Sequence, residues 1–282
     1  MRIRELCLLF SILFVLPFEG NSTTVYSTYN YMIDRYDNGQ LINSFGSVDG
    51  GGAIAVSTDG YVFSTRNNQI NKYNAEGQYV RSFGYVNSDS GLAVSANGMI
   101  YGGYYGQISQ YDSNGTFIRS FGNINQNGMI TADIFGNVYG VSNSRINKYD
   151  SSGNFVLSFG SSFSNGYLAT DAVGNIYSSS SFNIASVIHK YANNGDLLLR
   201  FGAAGTEGGL AVDQQGNVYS SSSTGIYQYS PNGDQVASFG RSFGDGALAA
   251  SSVPEPNSLV LLALGGLALA INRRRRAQKP IF

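Results

Sequence analysis

The sequence predicts an all-β fold, a six-bladed β-propeller of four-stranded antiparallel blades, and three observations predict it. First, the pair Phe-Gly recurs at Phe45, Phe83, Phe121, Phe159, Phe201 and Phe239, at spacings of 38, 38, 38, 42 and 38 residues. A fixed period of this length marks an array of supersecondary units. Second, each unit carries a segment in which Ile and Tyr stand three residues apart, so that in a strand they face opposite sides of the sheet. Third, the array begins and ends on incomplete copies that together make one unit.

The stretch Gly208 to Gly240 shows one whole unit. Leu210–Val212 reads as a short strand a of small residues, Asn217–Ser221 as strand b, Ile226–Tyr229 as strand c and Asp234–Phe239 as strand d. The turn between c and d, Ser230-Pro231-Asn232-Gly233, has the residues of a type I turn. Strand c recurs as Ile33–Tyr36, Ile70–Tyr73, Ile108–Tyr111, Ile146–Tyr149 and Ile188–Tyr191. Because Ile and Tyr point to opposite faces, both faces of every sheet must be covered, which is the condition of a propeller blade. At the start, Val25-Tyr26 matches Val218-Tyr219, so strands b, c and d are present and strand a is missing. At the end, Gly246 to Ser251 matches Gly208 to Asp213, a strand a with nothing after it. Five whole blades and one shared between the ends close a ring of six, with the C-terminal strand completing the first blade; a linear solenoid would instead need capping repeats.

These residues resemble the NHL-repeat family of six-bladed propellers, through GNVY at 216–219, INKY at 146–149 and SFG at 158–160, and the likeness runs from Val25 to Ser251. The resemblance implies the fold and leaves the task open, since such propellers include scaffolds, sensors, RNA binders and a few enzymes. Where the family's second strand runs into Val-Ala-Asp, this chain has Ser220-Ser221-Ser222.

The regions flanking the ring are of another kind, and a hydrophobic helix is expected in each. Residues 1–20 place Arg2 and Arg4 before an apolar run from Leu6 to Leu16, the layout of a secretory signal peptide. That run is too short to span a bilayer. Cys7, the one cysteine of the chain, lies inside it, so removal of the segment leaves no thiol. Residues 21–252 then form one propeller, with ten Lys and Arg against fifteen acids. This mildly acidic balance argues against nucleic acid as a partner.

Residues 253–282 open with Val253-Pro254-Glu255-Pro256, continue with an apolar run from Leu259 to Ile271, and reach Arg273, Arg274, Arg275 and Arg276. Such a basic cluster keeps its end on the cytoplasmic side. The stretch resembles the PEP-CTERM sorting signal of Gram-negative bacteria. That resemblance implies an exosortase as processing partner, transient anchoring in the inner membrane, and delivery to the cell surface or an exopolysaccharide matrix. An ordinary C-terminal membrane anchor is the plainer alternative.

No catalytic constellation is visible, and no catalytic residue, metal ligand or cofactor is expected. His189, the only histidine, sits in strand c where other repeats carry Asp34, Asn71, Ser109, Asn147 and Tyr227. A zinc-dependent amidating lyase of the NHL fold would need more histidines. Asp133, Asp171 and Asp213 share one repeat position just after strand a, with Ser57, Ser95 and Ser251 in the other blades. Their expected role is turn capping and not a calcium ring. Quinone-cofactor propellers stack their cofactor on Trp, and the chain has none. Serines are abundant, with no histidine partner expected in reach.

Two places are candidates for ligand binding. Tyr104 and Tyr105 fall in a b–c loop, and the four extra residues of the fifth blade fall within Ser181–Ser186, a longer b–c loop that includes Phe182, Asn183 and Ile184. Loops on a rigid scaffold are where binding residues collect. The expected protein is therefore an exported, non-enzymatic binding or scaffold propeller whose ligand is a surface protein or polysaccharide. The alternative is a propeller enzyme of lyase or lactonase type.

Overall fold

The computed structural model describes residues 23–252 except 51, 164–165, 183–184, 203–207 and 242–245. Every regular element among the described residues is a strand, and the strands form six antiparallel four-stranded sheets. Blade 1 consists of Leu248–Ser252, Thr23–Tyr29, Met32–Asp37 and Gln40–Phe45, in the order a, b, c, d. Blade 2 is Ile54–Val56, Val62–Arg66, Gln69–Tyr73 and Tyr79–Phe83; blade 3 is Leu92–Val94, Ile100–Tyr104, Gln107–Tyr111 and Phe117–Phe121. Blade 4 is Ile130–Ala132, Val138–Ser142, Arg145–Tyr149 and Phe155–Phe159. Blade 5 is Leu168–Thr170, Ile176–Phe182, Ala185–Tyr191 and Leu197–Phe201, and blade 6 is Leu210–Val212, Val218–Ser222, Gly225–Tyr229 and Gln235–Phe239. Strands a of successive blades stand side by side, and Leu248–Ser252 lies between those of blades 6 and 2, so the ring is closed.

The Phe-Gly signature is explained by what it touches in the next blade. At Gly46 a Cβ would lie 2.8 Å from the ring of Tyr73, and at Gly160 it would lie 2.8 Å from Tyr191. Both glycines adopt positive φ, 62° and 59°, so no other residue fits without strain. The phenylalanine beside each glycine packs on that same tyrosine, with Phe45–Tyr73, Phe83–Tyr111, Phe121–Tyr149, Phe159–Tyr191, Phe201–Tyr229 and Phe239–Tyr36 centroids 5.5–5.8 Å apart. Each phenylalanine also meets the strand b aromatic of its own blade edge-on, as in Tyr139–Phe159 at 6.4 Å. Such pairs are worth ~0.5–1.5 kcal/mol each beyond the area they bury. The repeat is thus mainly a blade-to-blade interface written six times.

Strand d is the outer edge of every blade. In all six blades the c–d pairing shifts register at the strand c tyrosine, as between Lys72 and Tyr73. The extra residue on strand d is Ile42, Val80, Ile118, Val156, Leu198 or Val236, each of them exposed. A bulge on an outer strand disrupts the ladder that another chain would need for edge pairing.

Closure has its own fastenings. Strand a of blade 1 pairs antiparallel with strand b from Thr23↔Ser252 to Ser27↔Leu248. Arg241, on the link from blade 6 to that strand, donates from Nε to Asp34 Oδ2 at 2.8 Å, and the Asp34 side chain is only 1% exposed. The Arg241 guanidinium also lies over the ring of Tyr29 at 4.6 Å. Both chain ends of the ring, Thr23 and Ser252, therefore lie on the face of the a–b and c–d turns. The expected hydrophobic helices at residues 1–20 and 253–282 lie outside the described residues. Among those described, no helix is long and apolar enough to cross a membrane.

Candidate functional site

The strands a converge on a central channel, and its a–b end opens into a cavity of ≈390 Å3 lined by Val56–Thr58, Val94–Ala96, Ala132–Ile134 and their counterparts in the other blades. Asp133, Asp171 and Asp213 stand at this mouth with Ser57, Ser95 and Ser251. Each aspartate is engaged on both oxygens. Asp133 Oδ1 accepts from the N–H groups of Phe135 and Asn137, both at 2.9 Å. Its Oδ2 accepts from Asn137 Nδ2 at 2.8 Å and from the Tyr139 hydroxyl at 2.9 Å. Asp171 repeats the set with Val173, Asn175 and Tyr177, and Asp213 with Gln215, Asn217 and Tyr219.

The same cap recurs away from the channel. In the c–d turn of blade 4, Asp150 Oδ1 accepts from the N–H groups of Ser152 and Asn154, and Oδ2 accepts from Asn154 Nδ2. Those hydrogen bonds hold the Asp150 carboxyl below the usual range. An aspartate followed two and four residues later by donating N–H groups is a turn device of this chain, found with and without a channel beside it. Burial, then the adjacent carboxylate, push the Tyr139, Tyr177 and Tyr219 hydroxyls well above the ordinary phenol range, so they remain donors. Among the described residues no group of three or more His, Cys, Asp or Glu is placed to hold a metal ion.

His189 is buried, with 3% exposure. Its Nδ1 lies 3.1 Å from the Tyr191 hydroxyl and 3.4 Å from Ser161 Oγ. The expectation that no serine has a histidine in reach is corrected here: the ring brings Ser161, on the link after blade 4, to a strand of blade 5 that lies 28 residues further on. The contact does not make Ser161 a nucleophile. Tyr191 is the nearer partner, and the Ser161 N–H also donates to the Tyr191 hydroxyl at 3.0 Å. Asn71 and Asn147 make the corresponding contact to Tyr73 and Tyr149, each at 3.4 Å, in blades 2 and 4. Burial, and secondarily the charge of Arg200, lower the His189 pKa, so the ring stays neutral at neutral pH, and Nε2 has no hydrogen-bond partner.

At the opposite end, the b–c turns and the d–a links beside them carry the exposed tyrosines Tyr31, Tyr85 and Tyr105. Tyr104 is the last residue of a strand and not part of a loop, and Tyr105-Gly106 is the two-residue turn that follows. Tyr105 and Gly106 have φ of 47° and 78°, the left-handed pair that a type I′ hairpin requires. The Tyr104 and Tyr105 rings meet at 4.4 Å. A third ring, Tyr85 on the link between blades 2 and 3, lies 6.1 Å from Tyr104. Tyr85 is held at both backbone groups: its N–H donates to the Tyr111 hydroxyl at 2.9 Å, and that hydroxyl donates to its carbonyl at 3.0 Å. Sequence reasoning missed Tyr85, because it is 19 residues from Tyr104 and only the packing of the link between blades 2 and 3 beside the b–c turn of blade 3 joins them. Its position two residues after Phe83, on a link facing the b–c turns, was the available signal.

The expected long loop of blade 5 takes another form. Ser181↔Ser186 and Phe182↔Ala185 are paired, so the insertion lengthens both strands of a hairpin. β-Branched Val187 and Ile188 favour continued pairing over a loop. Asn183 and Ile184 lie outside the described residues, as do 164–165 and 203–207 of the d–a links beside which the loop was expected.

Comparison with known proteins fits this description. Residues 252–276 match the PEP-CTERM protein-sorting motif. No curated protein matches the chain. Among solved structures, the chain is similar to one in the nidogen/laminin complex, with TM-score 0.63 and 14% identity over 82% of this chain and 98% of that one. It is similar also to virginiamycin B lyase from Staphylococcus aureus, with TM-score 0.50 and 16% identity over 66% and 68%. A gluconolactonase from Xanthomonas campestris gives TM-score 0.51 and 14% identity over 68% and 77%. At these identities the likeness concerns the fold alone. The chain is thus an NHL-like six-bladed propeller carrying a PEP-CTERM sorting motif. The motif marks a protein that is exported, anchored by its C-terminal segment, and processed by an exosortase for sorting to the surface.

Proposed function

We propose that this protein is a non-enzymatic binding module, released at the cell surface or into the surrounding matrix, that meets its ligand on the face of the b–c turns and d–a links. The observation that carries this reading is that the three aspartates at the channel mouth are spent on their own turns. Each takes four hydrogen bonds from residues within six positions of itself. Withdrawing such a carboxylate for catalysis or metal ligation would leave a tyrosine hydroxyl and backbone N–H groups unpaired. The chain also enters and leaves the ring on the a–b face, the end opposite the tyrosine cluster. Export begins on this reading with a signal peptide at residues 1–20.

The test is a direct assay of the full-length protein. After incubation with calcium or zinc and dialysis it should retain neither stoichiometrically, and it should turn over neither virginiamycin B nor gluconolactone, chosen because two enzymes of similar fold are named for them. Turnover abolished by Asp171→Asn or His189→Asn would replace the binding module with an enzyme of lyase or lactonase type.

A further inference from the structure

We infer that Tyr85, Tyr104 and Tyr105 form a platform for a neutral glycan chain; this rests on the reading of the b–c face as the ligand face. The cluster is aromatic and well presented. Tyr85 and Tyr105 are 65% and 73% exposed, and their rings flank Tyr104. Tyrosine offers an apolar ring face with a hydroxyl at its rim. A pyranose has the complementary build, with C–H groups on its faces and hydroxyls around its edge.

The cluster is also rigid before any ligand arrives. Tyr85 is clamped by the Tyr111 hydroxyl, and the Gly106 carbonyl accepts from the Ile124 N–H at 2.9 Å. The conformation of Tyr105 is unfavourable for its own side chain. At the equivalent turn position blades 2 and 4 carry Asn67 and Asn143, and Asn adopts left-handed backbone at less cost than an aromatic residue. Strain of this sort persists where a side chain is required for something other than folding.

The surroundings select the ligand class. Next to the cluster stand amides and hydroxyls: Asn68 with Ser88, and Asn87 and Ser90 with the Gln126 carbonyl. Arg66 and Asp49 neutralise one another at 3.7 Å. Asp89 is the one ionised side chain between Gly84 and Gly91, and it repels an anionic polymer. A stable protein partner would bury about 800 Å2 on each side, more than three rings supply at about 150–250 Å2 each. The exposed Leu, Ile, Val and Phe side chains among the described residues all lie near the a–b and c–d turns instead.

The experiment titrates full-length protein with cellohexaose, maltohexaose and laminarihexaose, and with tetragalacturonate as the acidic comparison. Binding is read by calorimetry and by tyrosine fluorescence, which no Trp obscures. At least one neutral hexamer should bind, and Tyr105→Asn and Tyr85→Ser should each weaken it at least about fivefold. Tyr105→Asn should do so without lowering Tm, which separates loss of contact from loss of fold. Tyr31→Asn, on the blade 1 turn of the same face, should leave affinity unchanged. Failure of all three neutral hexamers, preference for tetragalacturonate, or binding indifferent to Tyr85 and Tyr105 would overturn the inference. If none of the sugars binds but a purified protein ligand is lost on Tyr105→Asn, the glycan is refuted and the binding module stands; turnover in the enzyme assays would refute the module itself.

Discussion

The a–b and c–d turns at one end of the ring and the b–c turns at the other are equivalent chain reversals built by opposite choices. At the first end the left-handed position is given to glycine, as at Gly98, Gly136, Gly174, Gly115 and Gly153, and a Ser, Asn or Asp side chain caps the turn. At the second end, seven of the eight non-glycine residues with positive φ among the described residues occur: Asn30, Tyr31, Asn67, Asn68, Tyr105, Asn143 and Ser144. The first end is optimised for holding its shape. The second accepts local cost in exchange for side chains at the turn tips, and loops that carry function are drawn from such places.

The largest effect should come from the end that holds the ring. A chain stopping at Gly240 lacks the strand that pairs with Thr23–Ser27, leaving an open edge, and it should lose its cooperative thermal transition or aggregate. A chain stopping at Ser252 should melt like the full-length protein. Equal melting of both would break the account of closure.

Next in size is Asp171→Ala, which removes four hydrogen bonds and leaves the buried Tyr177 hydroxyl without its acceptor. A loss of about 2–4 kcal/mol is expected in urea titration, with ligand affinity unchanged. Tyr105→Asn should do the reverse, gaining about 0.5–1 kcal/mol by easing the left-handed turn while affinity falls. Were Asp171→Ala to abolish binding or Tyr105→Asn to destabilise the ring, the division of labour between the ends would be wrong.

The smallest effect is a pH slope. The unfolded chain protonates His189 near 6.5, whereas burial keeps the folded site neutral to lower pH. The unfolded state therefore binds more protons below 6.5, so stability is level above that pH and falls as pH drops beneath it. His189→Asn, which copies Asn71 and Asn147, should flatten Tm between pH 7.5 and 5. An unaltered slope would place the acid sensitivity elsewhere.

The sequence made the architecture legible because the residues that close one blade on the next, Phe-Gly and the strand c tyrosine, are the residues that repeat. A missing strand at one end and a surplus strand at the other then specified the ring. The capping role of Asp133, Asp171 and Asp213 was legible from the turn chemistry around them. Contacts between blades were not, since Tyr85 with Tyr104 and Ser161 with His189 depend on which faces the ring brings together. The insertion in blade 5 was visible as a length, but length alone does not separate a loop from two lengthened strands.

The pairing of Thr23 with Ser252 also sets an order of events. The first residues of the ring to be made must wait for the last, across a sequence separation of 229 positions. Until then blade 1 has three strands and an open inner edge. The sorting motif begins at residue 252, so the strand that closes the ring and the signal that releases the protein follow one another directly in synthesis. Cleavage anywhere beyond Ser252 leaves the closing strand whole, and a chain cut short before Leu248 lacks both that strand and the sorting signal. The fold thereby couples completeness to delivery: what reaches processing already carries the segment that completes blade 1.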